Sequence, residues 1–147
     1  MILSKQQMLS EEQAITATAR STNVIALGSP GTVLGAPAAL VRDIGKGNLL
    51  PLFIQVDEDF DNLTSLDVAI QTDDDVAFGS AKTVLSMNFL LASLVAGFRS
   101  PIVNVPVGVD EDYLSLLYTV NGTNPTAGKI TAGIAAAVQT NDTVPGA

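Results

Sequence analysis

Carboxylates are the one chemically able side-chain class this chain carries in quantity, and ten of the fifteen fall into three short runs. Asp57, Asp59 and Asp61 alternate in the first, Asp73, Asp74 and Asp75 are consecutive, and Asp110, Glu111 and Asp112 form the third. The first run has the spacing of the first, third and fifth ligands of an EF-hand calcium loop. The remainder of that pattern is missing, since position six is Asn62 where the sharp turn calls for glycine and position twelve is Val68 where a bidentate glutamate closes the site. Two carboxylates can also hydrolyse a glycoside when they stand about 5–9.5 Å apart. There is no tryptophan to line a sugar cleft, and Phe53, Phe60, Phe78, Phe89, Phe98, Tyr113 and Tyr118 are scattered, mostly in apolar runs. Core packing accounts for them better, given the area each ring buries. The plainer use of acidic runs between strands is to keep sheet edges from pairing with stray chains.

Other chemistry is narrowed by what is missing. The chain has no cysteine and no histidine, which removes thiolate metal sites, cysteine nucleophiles, the usual serine triad and most zinc and iron sites together. The glycine-rich run Gly28-Ser-Pro-Gly-Thr-Val-Leu-Gly35 lacks the Gly-Lys-Ser/Thr ending of a phosphate loop and has no helix pattern after it. No serine has a nearby base to activate it. The expectation is a protein without catalytic residues, cofactor or bound metal.

Charge and hydropathy point to a protein partner. Fifteen acidic and seven basic residues leave a net charge of −8, and Lys5, Arg20, Arg42, Lys46, Lys82, Arg99 and Lys129 do not cluster. Nucleic acid needs a concentrated basic face, and an anionic membrane would repel this chain. Yet 47% of the residues are hydrophobic and the mean hydropathy is +0.37. That pairing predicts a surface partly covered by another chain, in an oligomer or a larger assembly. The amino terminus lacks the apolar core of a secretory signal, and the longest apolar region, residues 84–98, is too short and too interrupted to span a membrane.

The elements that must position these residues read as strands. Leu50, Leu52, Ile54 and Val56 alternate, as do Leu66, Val68 and Ile70. Near the carboxyl end, Leu114, Leu116, Tyr118 and Val120 form one apolar face, and Ile130, Ala132, Ile134, Ala136 and Val138 another. The glycine- and proline-bearing loop 122–128 between them reads as the turn of a β-hairpin. A further strand is expected over residues 14–20, an extended piece over 21–28, a hairpin strand over 76–85, a short helix over 86–96 and a strand over 102–105. Residues 28–47, with five glycines and two prolines, form a long loop, of the length that usually carries function. The whole reads as an all-β, jelly-roll-like antiparallel sandwich over residues 13–140, preceded by an extended arm over residues 1–12 and followed by a tail over 141–147.

Several pieces carry a resemblance, in order along nearly the whole chain: Lys5-Gln6, Gln13-Ala-Ile-Thr-Ala-Thr-Ala19, Ser21-Thr-Asn-Val-Ile25, Ile70-Gln-Thr-Asp-Asp74 with Phe78, Leu94-Val-Ala-Gly-Phe98, Tyr118-Thr-Val-Asn-Gly-Thr123 and Thr126-Ala-Gly-Lys-Ile-Thr-Ala-Gly133. The chain resembles the capsid cement, or decoration, proteins of tailed bacteriophages of the Bordetella-phage type. The resemblance implies a jelly-roll sandwich on the outer surface of an icosahedral head, bridging neighbouring capsomers of the major capsid protein. It implies homodimers across capsomer joints, with trimers as the alternative, and no catalytic residues. The loop 28–47 and the run Asp110-Glu-Asp112 depart from the family pattern. A carbohydrate-binding or tail-associated β-sandwich is the second reading. The apolar residues of the arm, Ile2, Leu3, Met8 and Leu9, are the expected contacts to a partner. Because the first acidic run breaks the calcium pattern at Asn62 and Val68, a chelator should leave the melting temperature unchanged. A drop of several degrees that calcium reverses would make the acidic runs ligands.

Overall fold

Alternation decides the two deepest strands. Leu66, Val68 and Ile70 are sealed from solvent on one face of Leu63–Asp73, and Leu114, Leu116 and Tyr118 on one face of Tyr113–Gly122. The two strands pair antiparallel, with Val68 opposite Tyr118 and Ile70 opposite Leu116, so these six side chains form one continuous apolar surface. It needs a second sheet to cover it.

The computed structural model, which describes residues 3–47 and 49–136, supplies that sheet. The strands among the described residues are β1 (Leu3–Ala14), β2 (Ala19–Arg20), β3 (Ile25–Ala26), β4 (Pro51–Glu58), β5 (Leu63–Asp73), β6 (Lys82–Leu90), β7 (Val103–Asn104), β8 (Tyr113–Gly122) and β9 (Lys129–Ala135). One sheet has the order β1-β9-β4-β7 and the other β2-β8-β5-β6, with β3 also on β8. β5 occupies one side of β8 along its length. β2 and β3 therefore share the other side, against Leu117–Tyr118 and Tyr113–Leu114, and act as one interrupted strand. Counted so, the two sheets read 1-8-3-6 and 2-7-4-5 in chain order, all antiparallel. This is jelly-roll wiring, two Greek keys folded together. Leu9, Leu52, Ile54, Val56, Ile130, Ala132 and Ile134 of the first sheet close over the second, and Leu94, Val105 and Val109 fill the ends.

Four expectations are corrected. The amino-terminal residues are not a free arm. Residues 3–14 form β1, which pairs with β9 from Leu3 opposite Ala135 to Ala14 opposite Lys129, so a boundary at residue 12 falls inside a strand. β1 shifts register between Leu3 and Met8, Met8 and Ser10, and Ser10 and Gln13, which breaks the period-two pattern that marks a strand. Its backbone runs so close to β9 that a Cβ on Gly133 would lie 2.8 Å from the Gln7 carbonyl oxygen, so only glycine fits there. The strand expected over residues 14–20 shrinks to the two-residue β2. The tail 141–147 lies outside the described residues.

Next, β8 and β9 are not a hairpin. They lie in opposite sheets and face each other across the core, because the loop between them crosses the sandwich. Finally, the helix expected over residues 86–96 is absent: residues 86–90 complete β6, and Leu91–Ser93 is a single 3-10 turn. Met87 and Phe89 are half-buried while Ser86, Asn88 and Leu90 are exposed, the alternation of an edge strand. β5 and β6 are a true hairpin, closed by the turn that begins at Asp73, and the described residues between β3 and β4 carry no regular element.

Because Leu9 is fully buried, Leu9→Ala should lower unfolding stability by about 2–4 kcal/mol in denaturant titration. A loss below about 0.5 kcal/mol, the range of a surface substitution, would mean that β1 is not part of the cooperative core.

Candidate functional site

Each acidic run is taken up by the fold, in a different place. Asp57 accepts from the Thr131 hydroxyl at 2.5 Å and the Gln55 amide at 3.1 Å, tying β4 to β9. Asp59 accepts from the Ala96 N–H at 2.7 Å, which fixes the segment after the 3-10 turn. Asp61 accepts from the Thr126 N–H at 2.6 Å, the Ala127 N–H at 3.1 Å and the Thr126 hydroxyl, clamping the crossover from β8 to β9. Those bonds, the Thr126 hydroxyl first, hold the Asp61 carboxyl below the usual range. The three alternate aspartates therefore diverge onto three partners, and among the described residues no group of three Asp, Glu, His or Cys side chains is arranged to hold a metal ion. Asn62 takes a left-handed φ of 62° to turn the chain into β5.

The second run closes the β5–β6 turn. Asp73 accepts from the Asp75 N–H at 3.0 Å, and from the Ser80 N–H and hydroxyl at 2.9 and 3.0 Å. Its carboxyl is held low by these donors, whereas that of Asp74 is raised by the hydrogen bond it shares with Asp73. Beside this turn the Arg20 guanidinium lies 4.2 Å from the centroid of the buried Phe78 ring. Arg20 also donates to Gln71 and Ser115, both at 2.9 Å, and Gln71 donates to Thr83 at 2.9 Å. A polar row thus runs from β2 across β8 and β5 to β6. A second row lies further along the same sheet, where Asn88 and Asn121 donate to the two oxygens of Asp67 at 2.5 and 2.9 Å and also to Ser65. The Asn121 amide, then that of Asn88, keeps the Asp67 carboxyl below its ordinary value.

The third run anchors the long loop. Arg42 donates to the Leu27 carbonyl at 2.7 Å and the Glu111 carbonyl at 3.2 Å, and stands 3.5 Å from the Asp112 carboxylate. Asp43 accepts from Gly108 N–H at 2.9 Å, and Ile44 N–H donates to the Val109 carbonyl at 3.1 Å. Gly45 presses on Pro106 so closely that a Cβ would lie 2.0 Å from its carbonyl oxygen. Lys82 pairs with Asp110 at 3.0 Å, which raises the lysine and lowers the carboxyl, while burial raises the carboxyl of Glu111. Beyond this base the loop stands away from the sandwich. Val33 and Leu40 are each 54% exposed, Val41 89% and Leu34 101%.

The expected contact residues are placed differently. Leu9 is inside the core, Leu3 and Met8 are half-buried on β1, and Ile2 lies outside the described residues. The large apolar side chains that the long loop exposes, Val33, Leu34, Leu40 and Val41, lie in the segment whose length pointed to function in the sequence.

The model of the Bbp16 family matches residues 9–134, from the buried Leu9 of β1 to Ile134 of β9. The chain belongs to the Bbp16 family. This is a Bordetella phage protein family, so the chain is a phage protein. No curated protein matches in sequence. Among solved structures, the PBSX exported protein XepA is similar, with a TM-score of 0.41 and 14% identity over 98% of this chain and 44% of its own. The chain spans less than half the length of that protein. No helix among the described residues is long and apolar enough to cross a membrane.

Asp67 gives a test of how far these carboxylates hold the sheet together. A carboxyl held below its unfolded value stabilises the fold fully above that value, and the contribution is lost as pH falls through the folded one. Denaturant midpoints should therefore drop on acidification below about pH 4. Asp67→Asn should cost about 1–2 kcal/mol at neutral pH, because two amide donors then face a third amide, and should flatten the acid slope. An unchanged slope would assign the acid loss to Asp61, Asp73 and Asp110 instead.

Proposed function

We propose that this Bbp16-family chain is a structural virion protein that decorates and cements the outer surface of an icosahedral phage head, bridging neighbouring capsomers of the major capsid protein. It does so without catalysis or a cofactor. The observation that carries this reading is the use of the acidic runs: Asp57, Asp59, Asp61, Asp73, Asp110 and Asp112 are engaged in turns, cross-strand ties and loop anchors, while large apolar side chains are held outward on the loop. A protein built this way offers partners a surface rather than substrates a site.

The physical role follows from number. One copy contributes a small contact, but copies fixed on one lattice act together, and whatever binds the assembled shell and not its disassembled state stabilises the shell by mass action. Copies pair across the capsomer joints, with threefold clusters as the alternative geometry. Virus heads purified by density gradient should contain the chain in fixed stoichiometry to the major capsid protein, and heads made without it should release DNA at a lower temperature. Recovery of the chain only with tails, or only free in the lysate, would reject the decoration reading.

A further inference from the structure

Residues 28–41 are fourteen consecutive residues without a charged side chain. At both ends of this interval the chain packs on the core, through Leu27 on one side and Ile44 on the other. Between them the apolar side chains face away, and the tip is held in shape by its own backbone bonds, Ala36 N–H to the Val33 carbonyl and Leu40 N–H to the Gly31 carbonyl, both 2.9 Å. The base is fixed by Arg42, Asp43 and Ile44 to the β7–β8 connection. Four large apolar side chains on a rigidly based projection form a docking finger.

We infer that this finger is the contact that fastens the protein to the shell, with Val33, Leu34, Leu40 and Val41 seated in an uncharged apolar groove on the major capsid protein. The inference rests on the decoration reading. Interface centres are depleted of charge, and residues 28–41 are uncharged, exposed from residue 31 to residue 41, and carry the two most exposed large apolar side chains of the described residues, Leu34 and Val41. The apolar residues of the amino-terminal segment are committed elsewhere, because β1 pairs with β9 and buries Leu9 in the core. Size argues for the shell over a second copy of this chain. The four side chains expose on the order of 500 Å² of apolar surface, below the roughly 800 Å² per partner of a stable free complex. Two free copies meeting through their fingers would not hold together, whereas a pair that bridges a capsomer joint seats two linked fingers on one shell and gains avidity.

The test is binding of purified chain to heads made without it, followed by co-sedimentation. Leu34→Asp with Val41→Asp should keep the wild-type melting temperature, both side chains being exposed, and lose at least tenfold in affinity for heads. A control of equal charge change, Val76→Asp with Val95→Asp, should bind as wild type does. If the aspartate pair lowers the melting temperature, Leu34→Ser with Val41→Ser gives the same readout without added charge. Wild-type chain that binds heads while the finger variants bind equally well, or lose no more than the control, would overturn the finger and leave decoration standing. Wild-type chain that ignores heads would overturn both. Finger variants that keep head binding but lose self-association in sedimentation would reassign the finger to contacts between copies.

Discussion

Tyr118 is fully buried on β8, and its hydroxyl crosses the sandwich to Ser10 of β1 at 2.8 Å. Ser10 spends its own proton on the Gln13 side-chain oxygen at 2.7 Å, so the phenol is the donor to Ser10. Gln13 in turn donates to the Arg20 carbonyl at 2.9 Å and accepts from the Thr22 N–H at 2.9 Å. The Asn23 N–H reaches the Leu9 carbonyl at 2.9 Å. This relay ties the least regular strand of one sheet to the interrupted strand of the other. A jelly roll requires both placements, because its first strand must lie beside its last and its second beside its next to last. Burial pushes the Tyr118 hydroxyl well above its ordinary ionisation, so it stays a donor throughout the ordinary pH range. Removing the Ser10 hydroxyl would leave the buried phenol unpaired at a cost of about 1–3 kcal/mol, whereas Ser10 without the phenol keeps its bond to Gln13.

The same economy governs the surface. Loops that must hold a shape without a core of their own use a carboxylate to collect their backbone N–H groups, as Asp61 does for residues 126–127 and Asp73 for the β5–β6 turn. A carboxylate that satisfies two or three local donors is a staple, and its lowered proton affinity is the sign of that work. Acidic residues thus account for much of the order at the strand ends. Lys129 with Glu58 and Lys82 with Asp110 add exposed ion pairs at 2.9 and 3.0 Å, a minor term in water.

How much of this was legible in the sequence depended on whether a pattern reports a face or a partner. β4, β5, β8 and β9 were readable because alternation in Leu52, Ile54 and Val56, or in Leu66, Val68 and Ile70, states directly which side chains turn inward. The pairing of β8 with β9 was misread, since a short glycine- and proline-bearing loop serves a crossover between sheets as well as a hairpin within one. β1 was hidden by its three register shifts, and so Leu9 looked like a spare apolar residue when it is part of the core. The end of β6 was hidden because Leu90 and Leu91 continue an apolar run past the strand, blurring Met87 and Phe89 into a helix-like stretch. The acidic runs were placed between strands, whereas β4 continues to Glu58 and β5 to Asp73, and what the runs hold is set by contacts as distant in sequence as Asp61 with Thr126, which no local pattern encodes.

Separating charge from apolar surface resolves the odd pairing of acidity with high hydropathy. A net charge of −8 sets free copies repelling one another in solution, and the uncharged interval 28–41 groups four large exposed apolar side chains on one loop. On the proposed reading, this division lets the chain remain dispersed until a shell presents a complementary groove. The Arg42 anchor then matters as much as the tip. Its guanidinium joins the Leu27 and Glu111 carbonyls to the Asp112 carboxylate, so the finger starts from a fixed base. Ordering a loop on binding costs about 1–2 kcal/mol of backbone entropy per residue, and a projection already held in shape has much of that cost met by its own fold.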